Sequence, residues 1–357
     1  MIILEIVKIL APATIAFIIG IAITPPLTNI LYSKKMWKKR SGKIALDGSS
    51  AELFNELHKE KEVGTPRFGG LVVWGGVLFT ASLLYLLSKF TDSKLFDTLS
   101  FVSRGQTWLP LATLILGASV GFIDDLYEVR GTPGAKSGGL SLRKRLLVVA
   151  LASGACAYWF YVKLGVSAVM IPFHGPVELG LLFIPFFIAV ALCAYAGGVI
   201  DGLDGLAGGV FASIFTAYAG IAFFQSQVDL AALCATIAGA LLAFLWFNIP
   251  PARFYLSETG TMGLTLALTV VAFLTDNLGE GFGVAVLPIV AFPLVITVLS
   301  VLLQVFWKKV FKRKLFKVAP LHHHFEALGW PSYKVTMRYW VVSIVFAIVG
   351  MSIALVG

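Results

Sequence analysis

Five carboxylates carry the densest chemistry in this chain: the pair Asp124-Asp125, then Asp201 and Asp204 in Asp201-Gly202-Leu203-Asp204-Gly205, and Glu258. Each lies at the edge of a long apolar stretch, where a charge is expensive to keep. Asp124 and Asp125 follow Gly121-Phe122-Ile123, and no basic residue stands near the 201–205 run to neutralise it. One acid in such a place often marks only the boundary between membrane and water. Five on one face point to a hard-oxygen site, and Mg2+ favours carboxylates combined with substrate phosphate oxygens.

Pro320-Leu321-His322-His323-His324-Phe325-Glu326 lies in a segment, 308–338, that holds eight Lys and Arg. Neighbours on a helix diverge by about 100°, so three consecutive His cannot all face one site. An imidazole here could bind phosphate, orient a carboxylate or pass a proton; the plain alternative is a solvated tract that binds metal adventitiously. Thr65-Pro66-Arg67-Phe68-Gly69-Gly70 opens a helix whose small residues allow close packing and whose N-terminus favours an anion. Asn248 ends Leu245-Trp246-Phe247-Asn248, where its amide could hold a base or a sugar, or cap backbone. Arg143-Lys144-Arg145 could take phosphate or anchor a helix among headgroups.

The elements that must position these groups are membrane helices. Hydrophobic residues are 58% of the 357 positions and charged residues 13%, against about a quarter charged in soluble domains. Spans are expected at about 9–32, 68–88, 107–123, 146–163, 179–199, 206–223, 230–247, 261–275, 284–307 and 339–356. The fold class is therefore an all-α integral membrane protein of about ten transmembrane helices, one polytopic domain over 1–357. With both termini outside the cytoplasm, the inner segments 33–67, 124–145, 200–205, 248–260 and 308–338 hold 23 of the 28 Lys and Arg. Basic loops stay in the cytoplasm, so this orientation is expected, and it gathers all five acids on the cytoplasmic face in inter-helix segments. The net charge of +9 follows from topology and from attraction to anionic lipid and substrate; no nucleic acid is needed to explain it. Cys156, Cys193 and Cys234 lie in apolar runs without CxxC spacing and read as small buried hydrophobes. The first apolar run lacks a small-residue cleavage site and is expected to be a retained helix. Gly131-Thr132-Pro133-Gly134 with Ser137-Gly138-Gly139 reads as a flexible loop.

In this order, TPRFGG at 65–70, the Asp124-Asp125 pair, DGLDGLA at 201–207, LWFN at 245–248 and APLHHHFE at 319–326 resemble the polyprenyl-phosphate N-acetylhexosamine-1-phosphate transferase superfamily. Three His followed by Glu is similar to its phospho-N-acetylmuramoyl-pentapeptide transferases. The resemblance covers essentially the whole chain. It implies Mg2+, UDP-MurNAc-pentapeptide as donor, undecaprenyl phosphate as acceptor and a bacterial plasma membrane location. By resemblance, Asp125, Glu258 and Asp201 would hold the metal; Asp124 is the candidate base for the acceptor phosphate, with a covalent phospho-aspartate route as the competing mechanism. Asp204, Asn248 and Tyr255 would meet the uracil or the sugar. His324 would serve the diphosphate, supported by His322 and His323, with Arg145, Lys61, Thr65 and Arg67 also in substrate contact. Several positions depart from the family pattern: Glu258 for a metal-binding Asp, Gly198 for an Asn, Arg145 for a Lys, Arg67 for a small hydroxyl, and Lys61 as the nearest match to a lysine. Rival readings are a transferase using a simple UDP-HexNAc donor and an ion-coupled transporter, which would place its acids near the bilayer midplane. A homodimer is an arrangement that helix-rich membrane enzymes often adopt.

Overall fold

The computed structural model describes residues 2–39, 63–131, 139–277 and 281–357; Lys61 lies outside these. The helices are α1 (Ile2–Ser33), α2 (Gly70–Phe90), α3 (Lys94–Leu99), α4 (Trp108–Arg130), α5 (Leu142–Lys163), α6 (Phe183–Ala196), α7 (Leu206–Phe224), α8 (Val228–Asn248), α9 (Ser257–Asn277), α10 (Gly283–Val290), α11 (Phe292–Phe311), α12 (Leu321–Ala327) and α13 (Ser332–Val356). Among the described residues, ten helical segments are long and apolar enough to cross a bilayer. They match the ten expected runs, with three informative differences.

The first concerns the two shortest runs. The helix expected at 107–123 continues to Arg130, and the one expected at 261–275 begins at Ser257. Asp124, Asp125 and Glu258 are therefore helical, not in loops as expected. Their carboxylates reach partners on neighbouring elements, so the helices carry them inward; hydropathy stops at the first charge and misses this. The second is a break. The run 284–307 divides at Ala291 (φ −97°, ψ 26°) into α10 and α11, between Pro288 and Pro293, neither of which can donate a backbone hydrogen bond. The third is an antiparallel hairpin, β1 (Ala168–Ile171) with β2 (Gly175–Glu178), paired from Ala168↔Glu178 to Ile171↔Gly175. It qualifies the all-α expectation.

α9 is the central helix: 94% of its span is buried, against 17% for α11. Threonine makes it the least apolar of the spans, yet the hydroxyls of Thr261, Thr265, Thr269 and Thr275 donate to carbonyls four residues earlier. A helix wrapped in protein needs satisfied polar groups more than apolarity. α4 packs along it through small residues; a Cβ on Gly121 would overlap the Glu258 carbonyl, and one on Gly117 would stand 2.7 Å from the Met262 carbonyl. This close approach brings the acids of α4 beside the first turn of α9. At the far end of α9, Asp276 accepts the Met170 and Val284 amides at 3.1 and 3.2 Å, tying the hairpin and α10 to it. Cys156 and Cys234 are buried, but Cys193 is exposed on α6, contrary to expectation. A helix facing lipid has no need to hide a thiol.

Candidate active site

The last turns of α4, the first turn of α9, the 201–205 loop, the segment before α2, the segment 249–256 and α12 meet at one end of the bundle. Asp125, fully buried, accepts the Thr259 amide at 2.8 Å and the Thr259 hydroxyl at 2.6 Å. Asp201 accepts the Ser257 amide at 2.7 Å. Two carboxylates from different elements thus satisfy two of the open amides at the N-terminus of α9, where the helix dipole also favours them. Asp124, 2% exposed, accepts the Leu140 amide and lies 3.8 Å from Arg145. Arg145 donates to Glu258 at 2.5 Å, and the Tyr195 hydroxyl stands 3.4 Å from both Glu258 oxygens.

Arg67 reaches the same place from the other side. Its backbone amide is held by Met36, and the flanking chain is bound to 255 through Tyr255 N–H to Pro66 and Gly69 N–H to Tyr255. Phe68 adopts φ 74°, a rare backbone for an aromatic residue, with its ring buried and 5.1 Å from Phe122. Arg67 Nη1 then lies 3.3 Å from Asp125 and 3.0 Å from Glu128. Burial opposes its charge, but Glu128, Asp125 and Asp201 more than offset this, so its pKa is raised above the ordinary guanidinium value.

Asp124, Asp125 and Glu128 can each offer an oxygen within 4.8 Å of the others. These hard donors fit a Mg2+ ion. The set differs from the one implied by resemblance: Glu258 faces Arg145 and Tyr195, and Asp201 caps α9. Glu128, Tyr195 and Thr259 were not singled out from sequence. Glu128 stands four residues after Asp124, on the same helical face, and would have been found had α4 been extended past its apolar part.

A cavity of 290 Å³ lies alongside, lined by Thr65, Asp204, Pro250, Pro251, Ala252 and Tyr255. Asp204 accepts the Ala252 amide at 3.3 Å. Asn248 is occupied by backbone instead: its oxygen accepts the Gly205 amide at 3.0 Å and its nitrogen donates to the Phe254 carbonyl at 2.7 Å. It shapes the 201–205 loop rather than facing the cavity. In α12, His322 and His323 crowd Gly202, where a Cβ would stand 2.5 and 2.7 Å from their Nε2 atoms. Glu326 orients His323 through Nδ1 at 2.7 Å. His324 turns elsewhere, accepting the Lys317 amide at 3.2 Å beside Phe316; burial and then the Lys317 charge lower its pKa. Helical divergence thus sends His322 and His323 to the acid loop and His324 away from it, whereas the resemblance implied His324 at the diphosphate.

A family model described as glycosyl transferase family 4 matches residues 107–276. The chain is 31% identical to a phospho-N-acetylmuramoyl-pentapeptide-transferase of Clostridium perfringens (strain 13 / Type A), over 97% of this chain and 98% of that protein. It is 31% identical to one from Chloroflexus aggregans, over 99% and 91%, and 32% identical to one from a Geobacillus species, over 82% and 85%.

Proposed function

This chain belongs to the phospho-N-acetylmuramoyl-pentapeptide transferase family, a group of membrane phosphosugar transferases of peptidoglycan biosynthesis, and from that premise we propose that it converts UDP-MurNAc-pentapeptide and undecaprenyl phosphate to lipid I and UMP. A phosphate oxygen of the lipid attacks the phosphorus that bears the sugar, and the bond from that phosphorus to the bridging oxygen breaks. UMP leaves with the electron pair. The observation that carries the reading is the meeting of Asp124, Asp125 and Glu128 with Arg67 and Arg145 beside the 290 Å³ cavity.

Two anionic substrates must approach one another, so charge neutralisation is the main task. Asp124, Asp125 and Glu128 would hold Mg2+, whose charge, when bound, offsets that of the pyrophosphate. Arg67 and Arg145 favour the charged form of those acids and hold them in place. Asp124 is the base for an acceptor phosphate that arrives protonated. Thr65, Asp204 and Tyr255 line the cavity that takes the uridine end, with Tyr255 against the base. His322 and His323, close to Gly202, serve the diphosphate in preference to His324. The site faces the cytoplasm of a bacterial inner membrane, as the distribution of Lys and Arg supports.

The test is UMP release by the purified chain with undecaprenyl phosphate and either UDP-MurNAc-pentapeptide or UDP-GlcNAc. Turnover with the first donor alone is the expected result. Preference for UDP-GlcNAc would move the chain to the simple-donor branch of the superfamily, and no UMP from either would refute the reading.

A further inference from the structure

Arg67 sits within the carboxylate group, whereas Arg145 flanks it. One nitrogen, Nη1, is shared between Asp125 at 3.3 Å and Glu128 at 3.0 Å, and the side chain is only 18% exposed. Arg145 is committed to Glu258 at 2.5 Å and stands 3.8 Å from Asp124. Two of the three carboxylates able to converge on one ion therefore already face the same fixed cation. A guanidinium donates along the oxygen lone pairs that a metal ion would use, and its charge repels an arriving ion. Without any cation, carboxylates this close would repel one another and draw protons. Resting on the reading that these acids take a divalent ion, we propose that Arg67 is a tethered counter-cation that competes with the ion for Asp125 and Glu128 and so sets the affinity of the site. The chain then keeps its acids ordered and their mutual repulsion reduced when no ion is bound, and in return needs a higher ion concentration to fill the site.

The experiment measures Mn2+ binding by paramagnetic resonance on the purified full chain in detergent, without substrates. Arg67→Gln and Arg67→Met should each bind Mn2+ at least about fivefold tighter than wild type, because a nearby like charge is removed. Arg67→Lys keeps the charge and should stay within about twofold of wild type. An Arg67 that only braces Asp125 predicts the reverse: neutral variants would bind Mn2+ more weakly or equally, or would fail to purify as folded protein, and either result overturns the proposal. So does an Arg67→Lys variant that tightens as much as Arg67→Gln. If the wild type itself binds no Mn2+, the reading of an ion site fails first and this inference falls with it; Mn2+ binding that ignores Arg67 removes the inference alone.

Discussion

Asp125 divides its carboxylate between two jobs: one oxygen fixes the first turn of α9 through Thr259, and the other faces Arg67. Glu128 has no such structural duty among the described residues: its carboxylate faces the two cations Arg67 and Lys38. The two glutamates of the site therefore respond differently to loss of charge. Glu128→Gln should raise the Mg2+ concentration needed for half-maximal turnover by about tenfold, as expected when a charged ligand becomes a neutral amide. Glu258→Gln should lower turnover while moving that concentration less than about twofold, because its carboxylate faces Arg145 and Tyr195. A Mg2+ titration of both variants decides the matter, and a larger shift for Glu258 would return the ligand role to it. His324 gives a pH dependence of known sign. Its lowered pKa means that the fold accommodates the neutral ring, so its contribution to stability is present above the ordinary imidazole value and is lost as pH falls from that value through the lowered folded one. Asp124, Asp125, Asp201, Asp204, Glu258, the His tract and Arg67 were legible in the sequence, because charges in an apolar chain stand out, whereas Glu128 was hidden in a turn beyond the apolar part of its helix. Their pairing was not, since Asp125 and Thr259 are separated by more than a hundred residues and meet only through the packing of α4 on α9.

At the scale of elements, the packing of α4 on α9 is the part of the fold that makes the site. Gly121 leaves no room for a side chain against the Glu258 carbonyl, so Gly121→Val must push the two helices apart. Overpacking of this kind costs about 1–3 kcal/mol. Thermal unfolding in detergent should register it, and activity should fall further than stability, because Asp125 and Thr259 separate. A Gly121→Val chain with unchanged unfolding temperature and turnover would show that the close approach does not position the acids. The number of spanning segments among the described residues could be read from hydropathy alone. Their ends could not: α4 and α9 continue into charged turns that a lipid-facing helix would exclude, because those turns face protein. The division between α10 and α11 was hidden for the opposite reason. Both halves are apolar, and only Pro288 and Pro293 mark the bend.

For the whole molecule, most of the described Lys and Arg and the acid cluster lie toward one end of the bundle, while the hairpin, Asp276 and the Lys8–Asp229 pair at 2.5 Å lie at the other. With Cys193→Ala as background, Phe173→Cys at the hairpin tip should react with an impermeant maleimide added to intact cells, and Leu315→Cys only after permeabilisation. Both positions are exposed, so the labelling order reads orientation directly; the reverse order would invert the bundle. The bundle also leaves α11 largely uncovered, with 17% of its span buried, and α11 leads directly into the segment that carries the His helix. An enzyme flanked in this way would meet the proposed lipid acceptor in two dimensions. For that substrate the relevant variable is its mole fraction in the surrounding film, not its molarity. Diluting the acceptor with inert detergent at fixed total concentration should therefore raise its apparent KM in proportion, while the KM of the water-borne nucleotide stays constant. An acceptor KM that tracks bulk molarity instead would show that the lipid arrives through water.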